Sequence, residues 1–321
     1  MARAMGESGS AFRVALAAPF LLLLLAGCGS GPVPVPPAPA DAAPVAFSAA
    51  NAEAALGYVR SLVEGYTPRD AGTPAAGEAA RWLAKTLQEM GVEAAVDSFE
   101  DEVPGGKATF HNVIGTLRGT GEGWVVLLSH FDTKAGIAEG FQGANDGGSS
   151  TGLLLELAKV LRAAGPRRLN LHFGFMDGEE CRVAYRDTDG FHGSRRFARQ
   201  LRQANKTIRA VILMDMVGDR DLKLTLPRNG SGPLRVLAIQ AADTVGERAK
   251  IGLFDGTVFD DHQAFLEEGF PAVDLIDFDY GSVPGLNDSW HPPADTLDKL
   301  SPDSLLSTGK IVLEMIRRLE K

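Results

Sequence analysis

Apolar runs closed by glycine or by charge recur along this chain, and they alternate with stretches of helical period. Trp124-Val125-Val126-Leu127-Leu128 leads into Ser129-His130-Phe131-Asp132, and Leu169 to Met176 leads into Asp177-Gly178-Glu179-Glu180. Continuous apolar runs of this length read as buried strands. His111 to Leu117, Arg209 to Met216 and Pro271 to Ile276 follow the same pattern. Glu78 to Met90 sets Ala79, Trp82, Leu83, Leu87 and Met90 at helical spacing, and Gly91 supplies a C-terminal stop. Gly152 to Ala164 gathers Leu153, Leu154, Leu157, Val160 and Leu161 on one face. A last helix opens at Ser301-Pro302-Asp303, with a serine N-cap and proline at the first helical position. The alternation predicts an α/β fold: a three-layer α/β/α sandwich around a central mixed, largely parallel sheet.

In open α/β sheets, ligands bind past the carboxyl ends of the strands. His130, Asp132, Glu179, Glu180 and Asp215 stand at or just past such ends, and Asp146 sits in the intervening turn Gly143-Ala144-Asn145-Asp146-Gly147-Gly148. Taken singly, each has a structural reading. A histidine there is commonly a hydrogen-bonded core residue, Asp146 a turn former, Glu179-Glu180 a solvated pair, and Asp260-Asp261-His262 a helix cap. Asp215 is harder to dismiss, because a carboxylate near a core needs a partner. Imidazole and carboxylates converging at strand ends point to zinc. Gly148-Ser149-Ser150-Thr151-Gly152 matches the G-x-S-x-G pattern of serine hydrolases, but that motif needs a strand running into the serine. The preceding segment is glycine-rich and polar, so the match is read as coincidence, and Ser149 is expected to cap the following helix.

Composition narrows the function classes. A net charge of −9 and a pI near 5.2 argue against nucleic-acid binding. Cys28 and Cys181 are the only cysteines, too few for a disulfide framework. An apolar run from Val14 to Leu25 is too short to span a bilayer and ends Leu25-Ala26-Gly27-Cys28. That ending resembles a bacterial lipobox. Residues 1–27 are then expected to be a lipoprotein signal peptide and Cys28 the lipidated residue. Residues 28–47 would be a Pro/Ala-rich tether and 48–321 a single catalytic domain. This implies a lipid-anchored protein of the bacterial cell envelope, facing periplasm or exterior.

His130-Phe131-Asp132, the Asp146 turn, Asp177-Gly178-Glu179-Glu180, Asp215, Asp261-His262 and His291 follow the order of the M28 zinc aminopeptidases. Within that superfamily the chain most resembles animal-type glutaminyl-peptide cyclotransferases. Twelve residues separate Glu180 from Gly193-Ser194-Arg195, Asp260-Asp261-His262 is a doubled-acid motif, and Trp290-His291 matches the Trp-His loop of those enzymes. The resemblance implies one zinc held by Asp146, Glu180 and His291, with Glu179 as proton carrier and Asp261 sharing a hydrogen bond with it. Trp290 would wall the substrate pocket. Tyr185 stands where the animal enzymes carry tryptophan, and Asp274 where they carry histidine. The implied reaction converts the N-terminal glutamine of a peptide or protein to pyroglutamate with release of ammonia. The alternative is a co-catalytic aminopeptidase, in which Asp146 bridges two zincs and His130 and Asp215 hold the second. A third possibility, a metal-free binding domain, is disfavoured by the intact ligand set.

Overall fold

The computed structural model of the chain describes residues 45–281, 291 and 293–321. Helix α1 (Ala49–Tyr66) begins at Ser48, whose hydroxyl accepts from Asn51 N while the Asn51 side chain returns to the cap. Helix α2 (Pro74–Glu89) carries proline in its first turn behind the cap Thr73. Strands β1 (Glu93–Val103) and β2 (Gly106–Leu117) form an antiparallel hairpin. Strand β3 (Trp124–His130), helix α3 (Ser150–Ala163) and strand β4 (Asn170–Met176) make the first crossover. Helix α4 (His192–Gln203), β5 (Ile208–Asp215), β6 (Leu224–Pro227), α5 (Gly232–Thr244) and β7 (Ile251–Phe254) follow. The chain then adds α6 (His262–Glu267), β8 (Ala272–Ile276) and α7 (Pro302–Leu319).

The eight strands form one sheet in the order β1-β2-β4-β3-β5-β8-β6-β7. Its centre, β4-β3-β5-β8, is parallel. Antiparallel pairs join β2 to β4 and β6 to β8, so the sheet is mixed with a parallel middle. Side chains alternate across a strand, and β3 shows the consequence. Val125 and Leu127 pack into the core beneath α1, α2, α3, α5 and α7, while Val126 and Leu128 join α4 and α6 on the other face. Three layers result, as the hydrophobic pattern predicts. Because β4, β3, β5 and β8 run in parallel, their carboxyl ends open along one edge.

One local expectation is corrected, and one strand is new. Ser149 makes no capping hydrogen bond to α3. Its hydroxyl donates to Asn145 O and accepts from Val217 N, tying the Asp146 turn to the segment after β5. The strand β1, half exposed along its length, gave no clean apolar run and was not anticipated. Ser150, the middle serine of the G-x-S-x-G match, is fully buried and shares a hydrogen bond with Ser129 Oγ. That leaves it no access to substrate. The lipobox cysteine Cys28 and most of the proposed tether lie outside the described residues.

Candidate active site

Each acidic side chain at the open edge is placed by backbone that other polar groups hold. Arg69, fully buried, donates to the carbonyls of Phe131, Gln142 (2.6 Å) and Gly143 (2.7 Å), clamping the ends of the loop after β3. Burial pulls its pKa down to about 10, with nearby Asp295, Asp132 and Asp146 opposing the fall, so it stays charged at neutral pH. The next turn puts Gly147 at φ 72 with a hydrogen where a Cβ would lie 2.9 Å from His130 Cε1. Only glycine suits both demands. Asp295 then accepts from Asn145 N (2.8 Å), Asp146 N (3.0 Å) and the Tyr280 hydroxyl (3.0 Å). The Asp146 carboxylate is thereby aimed inward from a turn fixed at both ends.

Asp132 does the same for the end of β4. Its two oxygens accept from Glu179 N (3.3 Å) and Glu180 N (3.1 Å), and Gly178 makes the turn at φ 77. Glu180 Oε1 lies 2.9 Å from His291 Nε2, which is also 3.4 Å from Asp146 Oδ2. On the other side of Asp146, His130 Nε2 is 3.1 Å from Asp146 Oδ1 and 3.1 Å from Asp215 Oδ1. Two trios therefore share Asp146: Asp146, Glu180 and His291, and His130, Asp146 and Asp215. In each, one ligand atom per residue lies within 4.8 Å of the others.

Glu179 belongs to neither trio. Its Oε2 lies 3.4 Å from the Tyr185 hydroxyl, which also donates to Glu180 Oε2 at 3.1 Å. Tyr185 rides on the loop between Glu180 and α4, stacked on Phe191 with ring centroids 4.8 Å apart. That loop is wound around Asp189, whose carboxylate accepts from the backbone of Arg182 (2.6 Å), Val183 (2.8 Å) and Ala184 (2.9 Å). Lys134 reaches across to the loop at the Cys181 carbonyl and sits 3.6 Å from Glu180 Oε2. Glu179, Glu180, Tyr185 and His291 line a cavity of about 240 Å³, with Phe259 and Phe278 also in its wall.

The electrostatics follow from crowding buried acids. Burial foremost, then the neighbouring carboxyls of Glu180, Asp260 and Asp261, holds Glu179 well above the usual carboxylate range, with His130 opposing. Burial and then Asp146 raise Glu180, against the pull of His291. His291 is pushed up to about 10, because the Asp146 and Glu180 carboxylates outweigh its burial. Asp261, buried at the start of α6, is raised to about 7 by burial despite the Ser194 hydroxyl beside it. Its expected hydrogen bond to Glu179 is not among the described contacts; Asp261 acts on Glu179 through its field. Asp260, not Asp261, lines the cavity. Trp290 lies outside the described residues.

Sequence reasoning did not single out Asp295, Tyr280, Asp189, Lys134 or the role of Arg69. Asp295 had a signal, an acid following His291 by four positions, but its partner Asn145 is 150 residues away and only the fold brings them together.

Comparison with known proteins agrees with this geometry. Residues 112–316 match peptidase family M28. A Drosophila melanogaster glutaminyl-peptide cyclotransferase is 28% identical over 268 residues, covering 74% of each chain. The crystal structure of a glutaminyl cyclase from an Acidobacteriales bacterium superposes with a TM-score of 0.81 at 33% identity, covering 88% of this chain and 98% of its own. A Zn-dependent exopeptidase from Parabacteroides distasonis superposes with a TM-score of 0.74 at 26% identity, covering 85% and 99%. With its parallel strand ends, its paired acid-histidine trios and the match through most of the folded region, this chain belongs to peptidase family M28.

Proposed function

We propose that this protein is a zinc-dependent glutaminyl-peptide cyclotransferase, closing the N-terminal glutamine of peptides to pyroglutamate with loss of ammonia. The observation that carries the reading is the likeness to a glutaminyl cyclase across nearly that whole protein, joined to a buried non-ligand Glu179 beside the Asp146, Glu180, His291 trio. Two carboxylates and an imidazole are a donor set suited to zinc. The crowding of Asp146 against Glu180 at short range is the imbalance a dication relieves. Zinc held there supplies Lewis acidity toward a carbonyl oxygen.

The remaining work falls to the chain. The glutamine side chain enters the cavity between Tyr185 and the Phe259 side, and the α-amine is brought to its own γ-carbon. A bond forms between them and the bond from that carbon to the amide nitrogen breaks. Glu179 takes a proton from the α-amine and returns it to the departing nitrogen, which leaves as ammonia. Such an internal attack depends chiefly on alignment, which can contribute about 7–11 kcal/mol. The Tyr185 hydroxyl lies within reach of both glutamates, 3.4 Å from Glu179 Oε2 and 3.1 Å from Glu180 Oε2.

One observation favours a second reading. The His130, Asp146, Asp215 trio could hold a second metal, as a co-catalytic aminopeptidase requires, and a Zn-dependent exopeptidase shares the fold. Mass spectrometry on a glutamine-initiated peptide decides between them. Loss of the mass of ammonia without shortening supports cyclisation; release of the first residue overturns it.

A further inference from the structure

Asp260, Asp261, His262 and Asp274 form a buried polar group beside the site that the proposed reaction does not use directly. Asp274 lies in the middle of β8, a strand buried throughout. Asp274 and His262 are 0% exposed and Asp260 3%. One oxygen of Asp260, one of Asp274 and a ring nitrogen of His262 lie within 4.8 Å of one another. Among the described residues, Asp260 Oδ2, both Asp274 oxygens and His262 Nδ1 have no conventional hydrogen-bond partner. Buried polar atoms are rarely left so. A bound water could satisfy single atoms of the group, but only a cation or a proton relieves the like charges of Asp260 and Asp274.

The tautomer of His262 decides between them. Asn229 Oδ1 accepts from Val258 N (3.2 Å) and its Nδ2 donates to Val258 O (2.8 Å). Reversing that amide would oppose donor to donor and acceptor to acceptor. The second N–H of Asn229 is then shared between His262 Nε2, 3.0 Å away, and Gln263 Oε1, 3.2 Å away, so His262 Nε2 faces a donor and acts as an acceptor. Burial lowers the His262 pKa to about 4, so the ring is neutral near pH 7 and carries its one proton on Nδ1. A protonated Nδ1 cannot ligate a metal. It faces Asp274 Oδ2 at 3.8 Å as a dipole and not as a charge.

Among the described residues, the strongest fields on Asp274 come from acids: Asp260 and Asp261 before α6, and Asp215 at the end of β5. Asp260 has already committed Oδ1 to Asp261 N at 2.5 Å, leaving Oδ2. We propose that Asp274 is kept as a neutral carboxylic acid that donates its O–H to Asp260, making Asp274 a positioning residue that holds Asp260 in the wall of the Glu179 cavity. An O–H donated to a carboxylate is among the stronger hydrogen bonds available to a buried side chain. It also removes one of two charges that could not both persist at this distance.

The test uses the full chain, Asp274→Asn and Asp274→Leu. Asparagine keeps a donor toward Asp260 and cannot ionise; leucine keeps the bulk and removes the donor. The wild-type minus Asp274→Asn infrared difference spectrum should show one protonated-carboxyl carbonyl band near neutral pH, lost in the variant over and above any band from the other buried acids. A carboxyl with a raised folded pKa costs nothing below its unfolded value, about 3.9, and destabilises increasingly as pH rises from there toward the folded value. The melting temperature of Asp274→Asn minus that of wild type should therefore grow with pH. The kinetic arm rests on the cyclotransferase reading. There Asp274→Asn should stay within about threefold of wild type, and Asp274→Leu should fall about tenfold or more in kcat, because Asp260 Oδ2 loses its donor. An unchanged infrared band, or a melting difference flat with pH, overturns the proposal. So does one equivalent more metal in wild type than in Asp274→Asn, which would put a cation where we place a proton. A fully active Asp274→Leu overturns the positioning role. If glutamine-initiated peptides are not cyclised at all, the function reading fails, while the infrared and melting results still report on the acid pair.

Discussion

Glu179 and Glu180 are neighbours in sequence whose side chains meet different partners. Glu180 faces His291 and shares a trio with Asp146, whereas Glu179, among the described residues, meets the Tyr185 hydroxyl and the opposing fields of His130 and the surrounding acids. Substituting each with glutamine should separate chemistry from metal binding. Glu179→Gln preserves shape but cannot relay a proton, so turnover should fall about 10²–10⁴-fold with zinc content near wild type. Glu180→Gln should lose zinc, since a neutral amide is a poor ligand. Kinetics paired with metal analysis reads both. The reverse pattern, with Glu179→Gln losing metal, would show that the ligand assignment is displaced by one residue. Both glutamates, Asp146 and His291 were legible from sequence because their order along the chain is specific. Arg69 and Asp295 were not, since their work is to hold backbone atoms far away in sequence.

At the level of elements, the loop from Cys181 to Gly190 presents Tyr185, and Asp189 holds it. Burial pushes the Asp189 carboxyl upward, but three backbone amides outweigh that and leave it below the usual carboxylate range. The stabilisation is therefore complete above the unfolded value, about 3.9, and is lost as pH falls through the lower folded value. Asp189→Asn should open the loop at neutral pH, seen as faster tryptic cleavage after Arg182 and Arg186 and weaker substrate binding. Cleavage unchanged from wild type would mean the loop is held by other contacts. The close approach of α1 and α3 is set by Gly152, where a Cβ would lie 2.4 Å from Val59 Cγ2 and 2.6 Å from Ala55 O. Gly152→Ala should cost about 1–3 kcal/mol by overpacking, measured as a lower denaturant midpoint. An unchanged midpoint would show that the helices part freely. Helical period and capping made α2, α3 and α7 readable, yet the hydroxyl of Ser149 went to Asn145 and Val217 instead of the cap. A carbonyl one turn back and a tertiary amide took the place of the cap.

For the whole molecule, metal and anchor are the properties to measure. A dication that balances the Asp146 and Glu180 carboxylates binds the folded chain alone, so chelation should abolish activity and lower the melting temperature. At free zinc about 100 times Kd the stabilisation is about 2.7 kcal/mol. One tightly held zinc fits the cyclotransferase; two, with one lost in His130→Ala, would favour the aminopeptidase. No described helix is long and apolar enough to cross a membrane. We propose that lipidation of Cys28 anchors the protein, and Cys28→Ser should move it from the membrane to the soluble fraction. A wild-type protein already soluble would end that proposal.

By itself, the sequence determined the layer architecture, the parallel centre of the sheet and the identity of the acids and histidines at its edge. The first two follow from the period of apolar residues, a local property, and the set of acids and histidines from the resemblance that their order along the chain carries. The tertiary structure alone decided how the groups pair. Asp146 became common to two trios because β3 and β5 lie side by side and bring His130 and Asp215 to it. Tyr185 came to touch both glutamates because the Asp189 loop folds back over them. His262 acquired its tautomer from Asn229, thirty-three positions earlier. Hydrogen-bond partners and electrostatic fields depend on distances in space, and no periodicity along the chain encodes them.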